Sequence, residues 1–207
     1  GMLAAIGDRL KAQRREIATL KKDEQRLAKL IEGLARIAAA RKARPRVPQA
    51  APNAGGSVTA GPPRLKNHDP GDVAGAFAAL RGKLRLPTGG TVAGRFGSPR
   101  AERGALWKGV FIRAAEGLEV RAVAPGTVVF ADWLRGFGNL LVIDHGDDFL
   151  SVYGNNESLL AAVGSVVKNG DSVATVGNSG GNADSGLYFE LRHRGQPFDP
   201  LKWVGIR

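Results

Sequence analysis

The residues able to do chemistry are few. The 207 residues include three histidines and no cysteine. Without cysteine there is no disulfide, no thiolate nucleophile and no sulfur ligand for a metal. The histidines do not form a motif. His68 falls in a Pro/Gly-rich stretch, His145 closes the strand-end sequence IDHG, and His193 ends LYFELRH. Strand alternation places Tyr188, Glu190 and Arg192 on one face and His193 on the other. Trp107, Gly109 and Phe111 share a face in the same way, with Lys108 at the strand start. Such residues suit contact better than catalysis, because aromatic anchors flanked by cations are enriched at binding hot spots.

Two different regions must position these side chains. From Leu86 onward TVAGRF, GVFIRA, LEVRAVA, GTVVFADW, NLLVID, FLSVY, SVATVG and LYFELRH read as short strands of period two. Gly-rich or polar turns separate them at roughly 8–12-residue spacing, which predicts a compact, mainly antiparallel β domain over 86–207. Trp203 in DPLKW is expected to close its core. Residues 2–42 instead predict one long helix, rich in Ala, Leu, Lys, Arg and Glu and free of Pro. Leu3, Leu10, Ile17, Glu24 and Ile31 fall seven apart, as do Ile6, Gln13, Leu20, Leu27 and Leu34. That is an a/d heptad stripe with two polar interruptions, and it predicts packing on a partner helix, upstream in the same chain or in another molecule. The fold class is therefore α+β by chain. Residues 1–42 form the heptad helix at the end of a coiled coil, and 43–66 a Pro/Gly/Ala linker. Residues 67–85 form a lead-in, with a short helix near Val73–Lys83 that carries Phe77, Leu80 and Leu84 on one side.

The formal charge is +11, and residues 1–46 hold 13 Lys/Arg against 5 Asp/Glu. Most of the excess thus sits on the helix, where it reads as a solvated face. A polyanionic partner is the alternative: nucleic acid, anionic lipid or an acidic wall polymer. No apolar run reaches the roughly 18 residues of a membrane span. No signal peptide is visible. The opening Gly-Met reads as a cloning scar, so the natural chain is expected to extend upstream.

The β region carries six further signatures in order: LPTGGTVAGRFG, WKGVFI, GLEVRAVAPGTVVFADWLRGFGNLLVIDHG, LSVYGNN, VGSVVKNGDSVATVGNSGG and LYFELRHRGQPFDPLKW. Their order and turn glycines resemble the LytM, or lysostaphin-like, zinc peptidase domain, from Leu86 to Trp203. The resemblance implies a zinc site in catalytic members, built from His-x-x-x-Asp and the second histidine of a later His-x-His. Two further histidines assist, one in a Tyr-x-His and one in the His-x-His. Zinc there takes three protein ligands and an open position where it acidifies water. In this chain the corresponding positions are Trp107, Phe111, Asn155, Gly186 and Tyr188. Trp offers only an N–H donor, Phe and Gly offer no ligand atom, and Asn and Tyr ligate zinc poorly. His145 matches a family position that is not a ligand and is expected to form a structural hydrogen bond. No catalytic residue, metal or cofactor is therefore expected.

Within that family the WKG, ADWLxGFG, YGNN and SGLYFELR segments resemble the degenerate EnvC-like murein hydrolase activators. The resemblance implies a non-enzymatic, periplasmic activator of N-acetylmuramoyl-L-alanine amidases, acting at the division septum. It also implies recruitment by an FtsEX-type inner-membrane complex through the coiled coil. The degenerate groove becomes the expected amidase-binding surface, formed by Lys108, Phe111, Leu140, Tyr188 and Arg192, with Asn155 secondary and with Lys108 and Arg192 meeting an acidic rim. A helix ahead of the domain is expected to cover the groove, and both 2–42 and 70–84 qualify. Competing readings are a peptidoglycan-binding module using the same groove, a residual zinc peptidase, and nucleic-acid binding by charge alone.

Overall fold

The computed structural model describes residues 2–43, 77–100 and 105–205. The predicted linker, and the lead-in before Phe77 with His68, lie outside the described residues. Helix α1 spans Met2–Ala43. Among the described residues ten strands follow: β1 Thr91–Gly94, β2 Val110–Arg113, β3 Glu119–Arg121, β4 Gly126–Leu134, β5 Gly138–Asp144, β6 Phe149–Leu159, β7 Val166–Val167, β8 Ser172–Val176, β9 Gly186–His193 and β10 Gln196–Phe198. Among the described residues no helix is long and apolar enough to cross a membrane.

All named strand pairs are antiparallel, as the period-two pattern predicts. The main path runs β1-β2-β9-β6-β5-β4-β7, with β10 on β9 and the β3–β8 ribbon joining β6. Strand β6 is long enough to serve three neighbours. Its first half lies between β5 and β9, and its far end pairs with β8.

Alternation along the central strands gives the sheet two apolar faces. Val110, Ile112, Leu141, Ile143, Tyr153, Leu187, Phe189 and Leu191 point into the main core with Val120, Val173 and Val176 of the β3–β8 ribbon. Phe77, Leu84 and Trp203 pack on this side. Trp203 lies within ring contact of Phe77, Phe149 and Phe198. The opposite face shows Phe111, Leu140, Val142, Leu150, Val152 and Tyr188.

Helix α1 covers that second face. Leu27 and Ile31 are each 1% exposed against it, flanked by Leu30 and Leu34. This corrects the expectation of a partner helix for half of the stripe: its C-terminal part packs on the chain's own β domain. The physical reason is that an apolar sheet face is as good a receptor for a heptad stripe as another helix. Toward its N-terminal end Ile6 is 51% and Leu10 44% exposed.

The short helix near Val73–Lys83 is also corrected for its described part. The chain forms a three-residue 3-10 turn, Ala78–Leu80, and Gly82 at φ +75° ends any helical course before Lys83. The side predicted from Phe77, Leu80 and Leu84 does face the core.

Candidate functional site

Of the five positions singled out from sequence, Trp107, Phe111 and Tyr188 gather in the apolar cluster that α1 covers. Strands β2 and β9 pair with Phe111 opposite Tyr188 and Arg113 opposite Gly186, and Gly154 of β6 lies opposite Tyr188. Trp107 enters just before β2, and its ring stacks 5.8 Å from Phe111 and 6.2 Å from Tyr188. Phe137, from the β4–β5 turn, meets Tyr188 at 5.3 Å. Gly94 makes room for Trp107, since a Cβ there would stand 2.6 Å from the indole. Arg100 lies over the indole, its guanidinium carbon 4.5 Å from the ring centroid. The result is an aromatic groove.

Leu27 and Ile31 of α1 fill this groove, and Asp23, four residues before Leu27, is buried at one end. Asp23 pairs with Arg26. A Cβ on Gly136, in the β4–β5 turn, would collide with the Asp23 carboxylate. At φ +87° that turn position suits glycine twice over, by backbone conformation and by space.

The floor is polar at one point. Glu190 is fully buried, receives the Tyr188 hydroxyl at 2.5 Å and pairs with Arg192 Nε. Arg192 also donates from Nη1 to the Gly195 carbonyl at 3.1 Å. Burial raises the Glu190 carboxyl above its ordinary range, opposed by the Arg192 charge and the two hydrogen bonds; Glu24 of α1 adds to the rise. The Tyr188 phenol is pushed well up by burial and by the neighbouring carboxylate.

These residues do not fit zinc. The Tyr188 hydroxyl is committed to Glu190. Asn155 is fully buried, and its amide is saturated: Nδ2 donates to the carbonyls of Gly177 at 2.9 Å and Gly186 at 2.7 Å. Its Oδ1 accepts from Gly180 N at 2.8 Å and Asn182 Nδ2 at 3.0 Å. Trp107, Phe111 and Gly186 supply no ligand atom. Among the described residues no three His, Asp or Glu side chains gather as a metal site requires.

The two described histidines lie apart from the groove. His145 is buried, with Nδ1 2.7 Å from the Pro125 carbonyl and Nε2 2.7 Å from Ser151 Oγ. Burial lowers its pKa to about 4 despite the Pro125 bond. His193 stacks on Phe149, 4.1 Å away, on the main-core side of the sheet.

Of the surface nominated from sequence, Phe111, Leu140 and Tyr188 lie together under α1. Lys108 is half-buried ahead of β2. Arg192 is buried at the floor and held by Glu190. Sequence reasoning missed Phe137, Val142, Leu150 and Val152. Period two from Leu140 would have found Val142. The same period on β6 selects Leu150 and Val152, the residues that alternate with Ser151 and Tyr153.

A family profile described as peptidase family M23 matches residues 105–200. The chain is 44% identical over 131 residues to the murein hydrolase activator EnvC of Escherichia coli, covering 63% of this chain and 31% of that protein. It is 35% identical over 156 residues to the murein hydrolase activator NlpD of Salmonella typhimurium, covering 73% of this chain and 40% of that one. The chain thus spans about a third of the length of the curated relatives it matches. Among solved structures, the catalytic domain of the prophage-encoded M23 protein EnpA of Enterococcus faecalis is similar at a TM-score of 0.51 and 27% identity. That match covers 56% of this chain and 94% of the other.

Proposed function

We propose that this chain activates a separate peptidoglycan hydrolase and cuts no bond itself, because residues 105–200 match the profile of peptidase family M23 and the positions read as that family's ligands hold groups unsuited to zinc. The hydrolase assigned is a zinc-dependent N-acetylmuramoyl-L-alanine amidase of the periplasm, working at the division septum. The names of the relatives, murein hydrolase activators, support the activating role.

The observation that carries the reading is the occupant of the groove. An amphipathic helix already lies there, burying Leu27 and Ile31 against Phe111, Leu140 and Tyr188. A surface that accepts one amphipathic helix suits a second with apolar residues at the same spacing. On this reading the amidase presents such a helix, displaced from its own active site, and α1 is the competitor that keeps the groove closed. Activation requires only that the groove bind the open amidase more tightly than the closed one.

The exposed half of the α1 stripe, with Ile6 and Leu10, gives a handle for control. Engagement of that half by a coiled-coil partner, in the manner of an FtsEX-type complex, would draw α1 away. Each fully buried Leu or Ile contributes about 1.5–3 kcal/mol, so closure of this size is reversible by a protein partner.

The test is release of dye from labelled peptidoglycan by a purified zinc amidase, with and without this protein. The protein alone releases none, and the amidase is stimulated in its presence once α1 is loosened by Leu27→Glu. Dye release by the protein alone, or no stimulation by the loosened form, overturns the reading.

A further inference from the structure

Three ionisable side chains alternate along one face of β9: Tyr188, Glu190 and Arg192. All three are buried, Glu190 completely. The Glu190 carboxylate is divided between its neighbours. Oε2 accepts the Tyr188 hydroxyl and Oε1 accepts Arg192 Nε. Arg192 is fixed at a second point by the Gly195 carbonyl. Among the described residues, Arg192 Nη2 makes no hydrogen bond. A guanidinium is planar, with five donors in a rigid fork, so anchoring Nε and Nη1 fixes the remaining donors.

Stability does not explain this arrangement. A buried ion pair is on average no more stabilising than apolar residues of the same volume, because both charges lose their hydration. An apolar floor continuous with Leu140 and Val152 would serve a greasy groove equally well. What the trio supplies is geometry: two donor-bearing side chains held by one carboxylate.

We propose that Glu190 is a positioning residue for partner binding. It holds the Tyr188 hydroxyl and the Arg192 guanidinium as one preformed unit, whose spare Nη2 donors receive an acceptor on the incoming helix. This rests on the reading that the groove receives an amidase segment. The acceptor that these N–H donors fit is an oxygen of the incoming helix, from a backbone carbonyl, a side-chain amide or a carboxylate. Preformed donors lose less entropy on binding than mobile ones, so the unit acts on affinity more than on the maximal rate.

The test is a titration of amidase activation by the full chain carrying Leu27→Glu, alone and with Glu190→Gln, Arg192→Ala or both. Each single change raises the half-maximal concentration about tenfold, with the maximal rate kept. The two together do no worse than either alone, because each dismantles the same unit. Losses that multiply, a fall confined to the maximal rate, or unchanged behaviour of Glu190→Gln overturns the inference. If Glu190→Gln does not fold, Tyr188→Phe and Arg192→Lys each break one bond with Glu190 in place. About tenfold is expected from each, and parent-like values from both overturn the inference. Absence of activation by the Leu27→Glu parent sinks the functional reading and this inference together. An active parent with failed coupling sinks only the inference.

Discussion

The ring of Phe111 lies over Gly186, its Cζ 2.7 Å from where a Cβ on that glycine would stand. The sequence resemblance assigns these two positions to the zinc site, Phe111 to a ligand and Gly186 to an assisting histidine. One replacement fills the space that the other leaves empty. The groove is therefore a repacked surface, and restoring single histidines meets a steric barrier. Gly186→Ala is expected to destabilise the domain by about 1–3 kcal/mol, the usual cost of overpacking. Phe111→Leu recovers only part of this, because the Ile112 carbonyl also crowds the site at 2.5 Å. Urea denaturation of the single and double variants measures both effects. A Gly186→Ala variant as stable as the parent contradicts this packing.

Asn155, read from the sequence as the position of an assisting histidine, works as a knot. Four hydrogen bonds tie β6 to Gly177, Gly186 and the 180–182 turn. Its backbone is left-handed, at φ +65°. Asn155→Ala leaves several buried polar groups unpaired and strains the backbone, for a loss of roughly 2–4 kcal/mol. Asn155→Gly relieves the strain and keeps the polar loss, so it falls between the two. Thermal and urea unfolding rank the three proteins. A change within about 0.5 kcal/mol for Asn155→Ala, the level of an exposed site, contradicts the assignment.

His145 makes the β domain acid-sensitive. Its pKa falls from the ordinary 6.5 to about 4 in the folded state. Between those values the unfolded chain binds the extra proton, so stability rises with pH. The contribution is complete above pH 6.5 and is lost as pH falls toward 4, about 3 kcal/mol in all. His145→Gln removes this part of the slope. Unfolding free energies of parent and variant at pH 7, 5.5 and 4 isolate it, since other titrating groups are common to both. Parallel curves contradict the prediction.

The sequence made the aromatic residues of the groove plain but not the face they form together. Trp107, Phe111 and Tyr188 stand out because an aromatic is conspicuous where the resemblance would place a metal-site residue. Asn155 and Gly186 are equally altered, but their roles are internal. A saturated amide and a glycine under a ring show only when partners distant in sequence are in place. Glu190 could be set beside Tyr188 and Arg192 by counting along a strand, whereas the hydrogen bonds between them needed rotamers. The heptad stripe gave the helix and its buried residues, yet one apolar stripe is compatible with many receptors. Only the alternate faces of β2, β5, β6 and β9, brought together by pairing, present the one that Leu27 and Ile31 use. Strands β7 and β10 are too short for a periodic signal, at two and three residues.

Helix α1 is expected to part from the groove as a unit. Leu27→Glu or Ile31→Glu places a charge against Phe111 and Tyr188, at a cost larger than the contact it replaces. Limited proteolysis reports the change as roughly tenfold faster cleavage within α1, with the β domain left intact, because local opening exposes helical backbone. Fluorescence of Trp107 shifts red as its apolar cover leaves. Equal cleavage rates in parent and variants contradict this coupling.

The account stands or falls on whether the covered groove is the activating surface. The decisive measurement is amidase dye release with the parent chain, Leu27→Glu, and Leu27→Glu combined with Tyr188→Ala. The account predicts weak stimulation by the parent, strong stimulation by Leu27→Glu, and loss of that gain when Tyr188 is removed. Strong stimulation that survives Tyr188→Ala, or a parent as active as Leu27→Glu, contradicts it.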